Sequence, residues 1–151
     1  MFNWLGARVP GARCLDLFAG SGALGLEALS RGAAHVMFVE RDAIAVRELR
    51  ARLTEWRANG AQVEQGDALR FLQGTATPFD IVFLDPPFAS NLLAEASRLL
   101  EERLWLGANA LLYVETDARA ALPPLPPDWT VTKAKQAGAV GYHLITRGGS
   151  G

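Results

Sequence analysis

A run of glycines between a predicted strand and a predicted helix constrains this chain more than any other stretch. Residues 13–18 have the short apolar pattern of a buried strand, and residues 23–29 carry leucine and alanine at helical spacing. Gly20-Ser21-Gly22-Ala23-Leu24-Gly25 joins them and fits the pattern G-x-G-x-x-G. Glycines let a ligand approach the backbone, and a helix start offers unpaired N–H groups to an anion. The stretch predicts a cofactor cradle, although dinucleotide-binding enzymes and methyltransferases share the motif.

Strands and helices alternate along the rest of the chain. Further strands are predicted at 35–40, 61–65, 81–84 and 110–114, with helices after Asp42, near 69–72 and over 91–102. The helix after Asp42 is expected to bury Val46, Leu49, Leu53 and Trp56. Two last strands, 129–136 and 139–147, form a hairpin. This order predicts a mostly parallel sheet covered on both faces, with one final strand antiparallel.

Acidic residues stand at or just past the predicted ends of four strands: Asp16, Glu40, Asp67 and Asp85. In sheets of this kind, ligands bind outside the carboxyl ends of the strands, where the strand order reverses. Glu40 follows Gly20 by about twenty residues, the separation at which an acid meets a ribose diol. Each acid alone is more often a turn or cap residue, and capping is the preferred interpretation of Asp42. Together the four acids predict one crevice lined with hydrogen-bond acceptors.

The most specific signal is Asp85-Pro86-Pro87-Phe88, directly after a predicted buried strand. The two prolines remove backbone donors and stiffen the loop. They leave the Asp85 carboxylate and the Pro86 carbonyl as acceptors, with the aromatic ring of Phe88 beside them. Such a group suits a planar base with an exocyclic amine, because the amine donates two hydrogen bonds while the ring stacks. The alternative is a rigid structural turn.

Composition excludes several classes of protein. A chain of 151 residues, half of them apolar, suits one domain with its own core, and a net charge of −1 gives no general attraction to nucleic acid. Cys14 is the single cysteine, so no internal disulfide can form, and its place in a strand predicts a core residue rather than a nucleophile. His35 and His143 are isolated, and no metal site is expected. No membrane span or signal peptide is visible, so we expect a cytoplasmic protein.

Residues 15–28, LDLFAGSGALGLEA, and residues 85–88, DPPF, resemble the RsmD-type methyltransferases. The resemblance runs from Phe2 to Arg147 and includes the stretches FNWL at 2–5 and GAVGY at 138–142. Members of this family use S-adenosylmethionine to methylate the exocyclic N2 of a guanine in bacterial 16S ribosomal RNA. The resemblance implies an α/β, Rossmann-like class I methyltransferase fold. Its seven-stranded, mostly parallel sheet would have the order 3-2-1-4-5-7-6 and an antiparallel C-terminal hairpin.

The resemblance also implies roles for the site residues. Asp16 would lie near the cofactor ammonium, Glu40 would accept both ribose hydroxyls, and Asp67 would read the adenine edge with the Ala68 amide. The expected cofactor-binding residues are Asp16, Phe18, Gly20, Ser21, Gly22, Glu40, Asp67 and Ala68. The expected catalytic residues, which hold the target base, are Asp85, Pro86 and Phe88. No covalent nucleophile or strong base is expected, because a sulfonium is already activated.

One departure from the family concerns the N-terminus, where members carry a basic segment that precedes FNWL and helps to bind RNA. We expect a single methyltransferase domain over residues 1–147 without that extension, and a flexible tail over 148–151. The expected partner is 16S ribosomal RNA or an assembly intermediate of the small subunit, bound by a monomer. Two alternatives remain: an NAD-dependent oxidoreductase, which leaves DPPF and the hairpin unexplained, and a catalytically silent module that binds cofactor or RNA.

Overall fold

The computed structural model describes residues 2–87 and 91–148. In chain order, the strands of these residues are β1 (Arg13–Asp16), β2 (His35–Glu40), β3 (Ala61–Gln65), β4 (Phe79–Leu84), β5 (Leu106–Asp117), β6 (Trp129–Ala137) and β7 (Val140–Arg147). The helices are α1 (Ala23–Ser30), α2 (Ala43–Glu55), α3 (Ala68–Phe71) and α4 (Leu92–Glu102), preceded by a 3₁₀ segment at Phe2–Arg8.

All seven strands belong to one sheet with the order β3-β2-β1-β4-β5-β7-β6. Strands β1 to β5 pair in parallel, whereas β7 is antiparallel to both β5 and β6. The predicted strand order and the C-terminal hairpin are therefore confirmed. Since β1 and β4 are neighbours and the chain moves outward from them in opposite directions, the order reverses between these two strands.

Both faces of the central strands are buried, because side chains alternate along each strand. On β4, Val82 and Leu84 join the apolar cluster that α3 and α4 cover, whereas Ile81 and Phe83 join the cluster beneath α1, α2 and the 3₁₀ segment. All four side chains are completely buried. Such strands expose polar backbone only at their ends, and ligand chemistry is accordingly confined to the edge where they end.

The structure differs from the sequence interpretation at two strand boundaries and at one side chain that was expected to be buried. Strand β1 ends at Asp16 rather than at residue 18, because the chain turns and the Ala19 N–H donates to the Val39 carbonyl (3.0 Å). Strand β5 begins at Leu106 rather than at residue 110, since Leu106 already pairs with β4 before an irregularity in the register. Trp56 lies past the end of α2 and is 51% exposed, so its predicted burial is wrong.

Cys14 is fully buried in β1, and burial raises the pKa of its thiol to about 12. The prediction that it is a core residue is confirmed, and a thiol of this kind stays protonated at neutral pH. Within the part of the chain that the structure describes, no helix is both long and apolar enough to cross a membrane.

Candidate functional site

A cavity of about 490 Å³ lies at the carboxyl edge of the sheet, where the strand order reverses. Its volume falls in the range of small-molecule sites. Most of the predicted site residues line it: Asp16, Phe18, Gly20, Ser21, Glu40, Asp67, Ala68, Asp85 and Pro86. Gly22 does not line this cavity. Phe88 lies outside the described residues, so its predicted place beside the target base stays a prediction.

The two loop glycines serve different purposes. Both have positive φ, +57° at Gly20 and +83° at Gly22, a conformation that favours glycine. A Cβ on Gly22 would lie 2.6 Å from Cδ1 of Leu49 in α2, whereas a Cβ on Gly20 would meet nothing within 4 Å. Gly22 is thus favoured by its positive φ, and a side chain there would also displace the Leu49 side chain at the start of α1. Gly20 is the position where a ligand can approach the backbone.

Glu40, at the end of β2, holds the glycine loop in place through two hydrogen bonds. Its Oε1 accepts the Gly20 N–H and its Oε2 accepts the Asp42 N–H, each at 2.8 Å. A carboxylate has about four lone-pair positions, so each oxygen can still accept one more hydrogen bond. The carboxylate that is predicted to accept ribose hydroxyls therefore also fixes the loop beneath them. Asp42 itself caps α2 through the Ala45 N–H, as predicted.

Asp16 is the buried acid of the cavity, with 2% of its surface exposed. Its Oδ2 accepts the Gly25 N–H from α1 at 3.0 Å. Burial raises the pKa of Asp16 to about 7, against the lowering effect of that hydrogen bond, and the nearby Asp85, Glu40 and Glu115 carboxyls raise it further. A cationic group bound beside Asp16 would stabilise its ionised form.

Gly25, the last glycine of the motif, holds α1 against the sheet. Its Cα lies so close to Phe38 of β2 that a Cβ would be 2.3 Å from Cε1 of that ring. The Phe38 ring is completely buried. This contact positions the helix whose first turn borders the cavity. The sequence motif contained this glycine, but its packing role required knowledge of which side chain lies beneath the helix.

Asp67 and Ala68 close the cavity beyond the end of β3. Asp67 is exposed and caps the short helix α3, its Oδ2 accepting the Arg70 N–H at 3.0 Å. Ala68 is almost fully buried beside it. The remaining Asp67 oxygen is available for another donor, so the capping role is compatible with the predicted contact to a base edge.

Asp85 has a neighbour that the sequence interpretation missed. The carboxyl group of Glu115, in β5, is in hydrogen-bonding contact with that of Asp85. Asp85 is exposed and Glu115 half-buried. Partial desolvation nevertheless raises the pKa of both groups, and the charge on Asp85 helps to raise that of Glu115 to about 7. Glu115 and Pro86 also line a second cavity of about 220 Å³. The only signal in the sequence was an acid at the end of a predicted strand.

The cavity offers several hydrogen-bond acceptors, of which the Asp16 carboxyl is the buried one. Among residues 2–87 and 91–148, no group of three or more histidine, cysteine, aspartate or glutamate side chains is arranged to hold a metal ion. His35 and His143 lie in β2 and β7, and burial lowers the pKa of both.

Comparison with known proteins agrees with this architecture. Residues 1–146 match the family model described as conserved hypothetical protein 95. Ribosomal RNA small subunit methyltransferase D of Escherichia coli K12 is 45% identical over 151 residues, which cover 100% of this chain and 76% of that protein. The chain belongs to the RsmD family. The protein of the same name from Haemophilus influenzae is 44% identical, over 95% of this chain and 76% of its own length.

Solved structures show that this RsmD family member has the class I methyltransferase fold. The structure of yhhF from Escherichia coli matches with a TM-score of 0.93 and 46% identity, covering 97% of this chain and 81% of that one. TrmN from Thermus thermophilus has a TM-score of 0.80 at 22% identity, covering 97% of this chain and 47% of its own, and supports the fold alone. The fold predicted from the resemblance is confirmed.

Proposed function

We propose that this protein transfers a methyl group from S-adenosylmethionine to the exocyclic N2 amine of a guanine in 16S ribosomal RNA. One observation carries the proposal: the glycine loop and Asp85 line the same cavity. A donor of methyl groups bound at the loop would therefore lie beside an acceptor that can hold an amine. The names of the relatives support ribosomal RNA as the substrate.

The residues that line the cavity fit the cofactor. Gly20 leaves open space over the backbone, as the methionine part requires. The buried carboxyl of Asp16 suits the ammonium group, since a cation would offset the cost of ionising it there. Glu40 keeps acceptor capacity for two hydroxyls. Asp67 lines the same cavity and keeps one carboxylate oxygen to accept a hydrogen bond from the adenine edge.

Asp85 would act on the acceptor amine. When bound, the cofactor supplies a methyl group already activated on a sulfonium. Asp85 and the Pro86 carbonyl would accept the two amine hydrogens, which turns the nitrogen lone pair away from the ring and toward that methyl group. The prolines keep these acceptors in place, and Pro86 is buried. Positioning of this kind can supply a large part of the rate.

The test combines binding and product analysis. Calorimetry should show that S-adenosylhomocysteine binds and that NAD does not. With 16S ribosomal RNA and small-subunit particles as acceptors, nucleoside mass spectrometry should find N2-methylguanosine. Asp85→Ala should retain cofactor affinity and lose about 100-fold or more in rate, because the amine is no longer aligned. Binding of NAD in place of S-adenosylhomocysteine would overturn the methyltransferase proposal. A methylated adenine would overturn only the guanine assignment.

A further inference from the structure

We propose that Glu115 is a positioning residue for methyl transfer: its protonated carboxyl donates a hydrogen bond to Asp85 and orients that carboxylate toward the target amine. The inference rests on the function proposed above, and it adds a residue that neither the glycine motif nor the DPPF motif contains. It also explains how one acid can remain an ionised acceptor beside another acid.

The register of the sheet brings the two acids together. Strands β4 and β5 are parallel neighbours in which Phe83 pairs with Tyr113 and Leu84 with Val114. Asp85 and Glu115 are the next residues along each strand, so they lie side by side on the same face as Phe83 and Tyr113. Phe83 and Tyr113 are themselves in contact, with ring centroids 6.0 Å apart. The two carboxyl groups are therefore held by the buried strands beneath them.

The carboxyl pair lies between two cavities. Asp85 lines the larger one, of about 490 Å³, together with the glycine loop. Glu115 lines the smaller one, of about 220 Å³, and Pro86 and Pro87 line both. A base whose amine reaches Asp85 would thus lie near the border between the two cavities, where Glu115 contacts Asp85. None of the ion pairs among the described residues involves either acid.

The surroundings favour one shared proton at neutral pH. Desolvation and the charge on Asp85 raise the pKa of Glu115 to about 7. Desolvation also raises the pKa of Asp85, but the hydrogen bond from Glu115 opposes that rise. Other titratable groups that face the pair are Asp16 on β1 and Tyr113 on β5, whose hydroxyl lowers the pKa of Glu115. More remote are Glu40 on β2, Tyr142 on β7 and Asp117 at the rim of the smaller cavity. When the doubly protonated pair loses its first proton, that proton therefore comes from Asp85. The remaining proton stays on Glu115.

The proton on Glu115 predicts the direction in which the rate of methyl transfer changes with pH. Below a pH of about 7, Glu115 is protonated and can donate to the Asp85 carboxylate. As the pH rises through that value, Glu115 ionises, the hydrogen bond is lost and two adjacent anions repel each other. Methyl transfer by the wild type should therefore fall on the alkaline side.

Three variants test the inference. Glu115→Gln keeps a neutral donor toward Asp85 at every pH, so it should retain a near wild-type rate at pH 6 and lose the alkaline fall. Glu115→Ala removes the donor and should lower kcat about 10- to 100-fold, since a displacement near 1 Å costs up to this much, with KM little changed. Tyr113→Phe removes the hydroxyl that lowers the pKa of Glu115, so the alkaline fall should move to higher pH.

Two results would overturn the inference while leaving the proposed function intact. One is a wild type and a Glu115→Gln variant with the same pH profile. The other is a Glu115→Gln variant as slow as Glu115→Ala, because then the donor would not be what matters. A third test needs no RNA. Carboxyl carbon NMR of the free protein should show Glu115 titrating near pH 7, and at lower pH in Asp85→Asn. A Glu115 resonance that titrates near pH 4, its ordinary range, would also overturn the inference.

Discussion

Replacing Gly25 by alanine tests how tightly α1 must lie against the sheet. The new Cβ would be 2.3 Å from Cε1 and 2.8 Å from Cζ of Phe38, whereas ordinary contacts begin at 3.4 Å. The ring is fully buried and has no room to rotate away. We therefore expect α1 to move outward by roughly 1 Å, the difference between those contacts. That movement also stretches the hydrogen bond from the Gly25 N–H to Asp16, now 3.0 Å long.

The magnitude follows from three opposing effects. Overpacking in a core costs about 1–3 kcal/mol, and the weakened hydrogen bond to the buried acid costs about 1 kcal/mol more. Alanine in place of glycine in a helix returns about 0.5–1 kcal/mol. The free energy of unfolding should thus fall by about 1–3 kcal/mol, and the affinity for S-adenosylhomocysteine should fall with it.

Urea unfolding followed by tryptophan fluorescence measures the loss. Phe38→Leu provides the matched control, because a smaller side chain makes space for the new methyl group. In a double-mutant cycle, Phe38→Leu should cost less in the Gly25→Ala background than in the wild type. A Gly25→Ala variant that is as stable as the wild type, or more stable, would refute the reasoning and show that the helix tolerates the Cβ.

The remaining predictions concern the cavity. Gly20→Ala should cost about 1–2 kcal/mol of stability because of its positive φ, and it should weaken S-adenosylhomocysteine binding, measured by calorimetry, at least about tenfold, or about 1.4 kcal/mol. Glu40→Ala should also weaken that binding, since each charge-assisted hydrogen bond lost is worth about 1.5–3 kcal/mol; unchanged affinity would remove Glu40 from the site. Asp16 has a pKa of about 7 in the folded state and of about 3.9 in the unfolded state. Between these two pH values the folded state therefore binds more protons than the unfolded state. Urea titrations should show the wild type losing stability relative to Asp16→Asn as the pH rises from about 4 to about 7, and parallel curves would contradict this.

Sequence patterns predicted the fold well because its central strands β1, β2 and β4 are short apolar runs bounded by clear turns. The hairpin and the strand order were expected from the alternation and from the family resemblance. Predicted strand boundaries were wrong where pairing in the sheet extends a strand past its local apolar pattern. In β5, for example, Leu106 already pairs with β4, although Gly107-Ala108-Asn109 interrupts the apolar run after it. The predicted burial of Trp56 was wrong for a simpler reason. The helix ends before Trp56, so its side chain no longer follows the apolar face of α2.

The candidate site was predictable where its residues are close in sequence or at strand ends, and most of these residues line the cavity of about 490 Å³. Glu115 was not predictable as a partner of Asp85, because the two are thirty residues apart and meet only through the register of β4 and β5. Likewise, sequence alone could not separate the packing role of Gly22 from the open position of Gly20. That distinction depends on the location of Leu49 in α2.

The hydrogen bonds around the glycine loop have a consequence for the kinetics of binding. The loop is fixed at its base, where Asp16 binds the Gly25 N–H, and in its middle, where Glu40 binds the Gly20 N–H. The conformational entropy of this segment is lost when the chain folds, so a ligand that arrives later need not order it. We therefore expect association in a single bimolecular phase whose rate rises linearly with ligand concentration, without the plateau that a slow loop closure would impose.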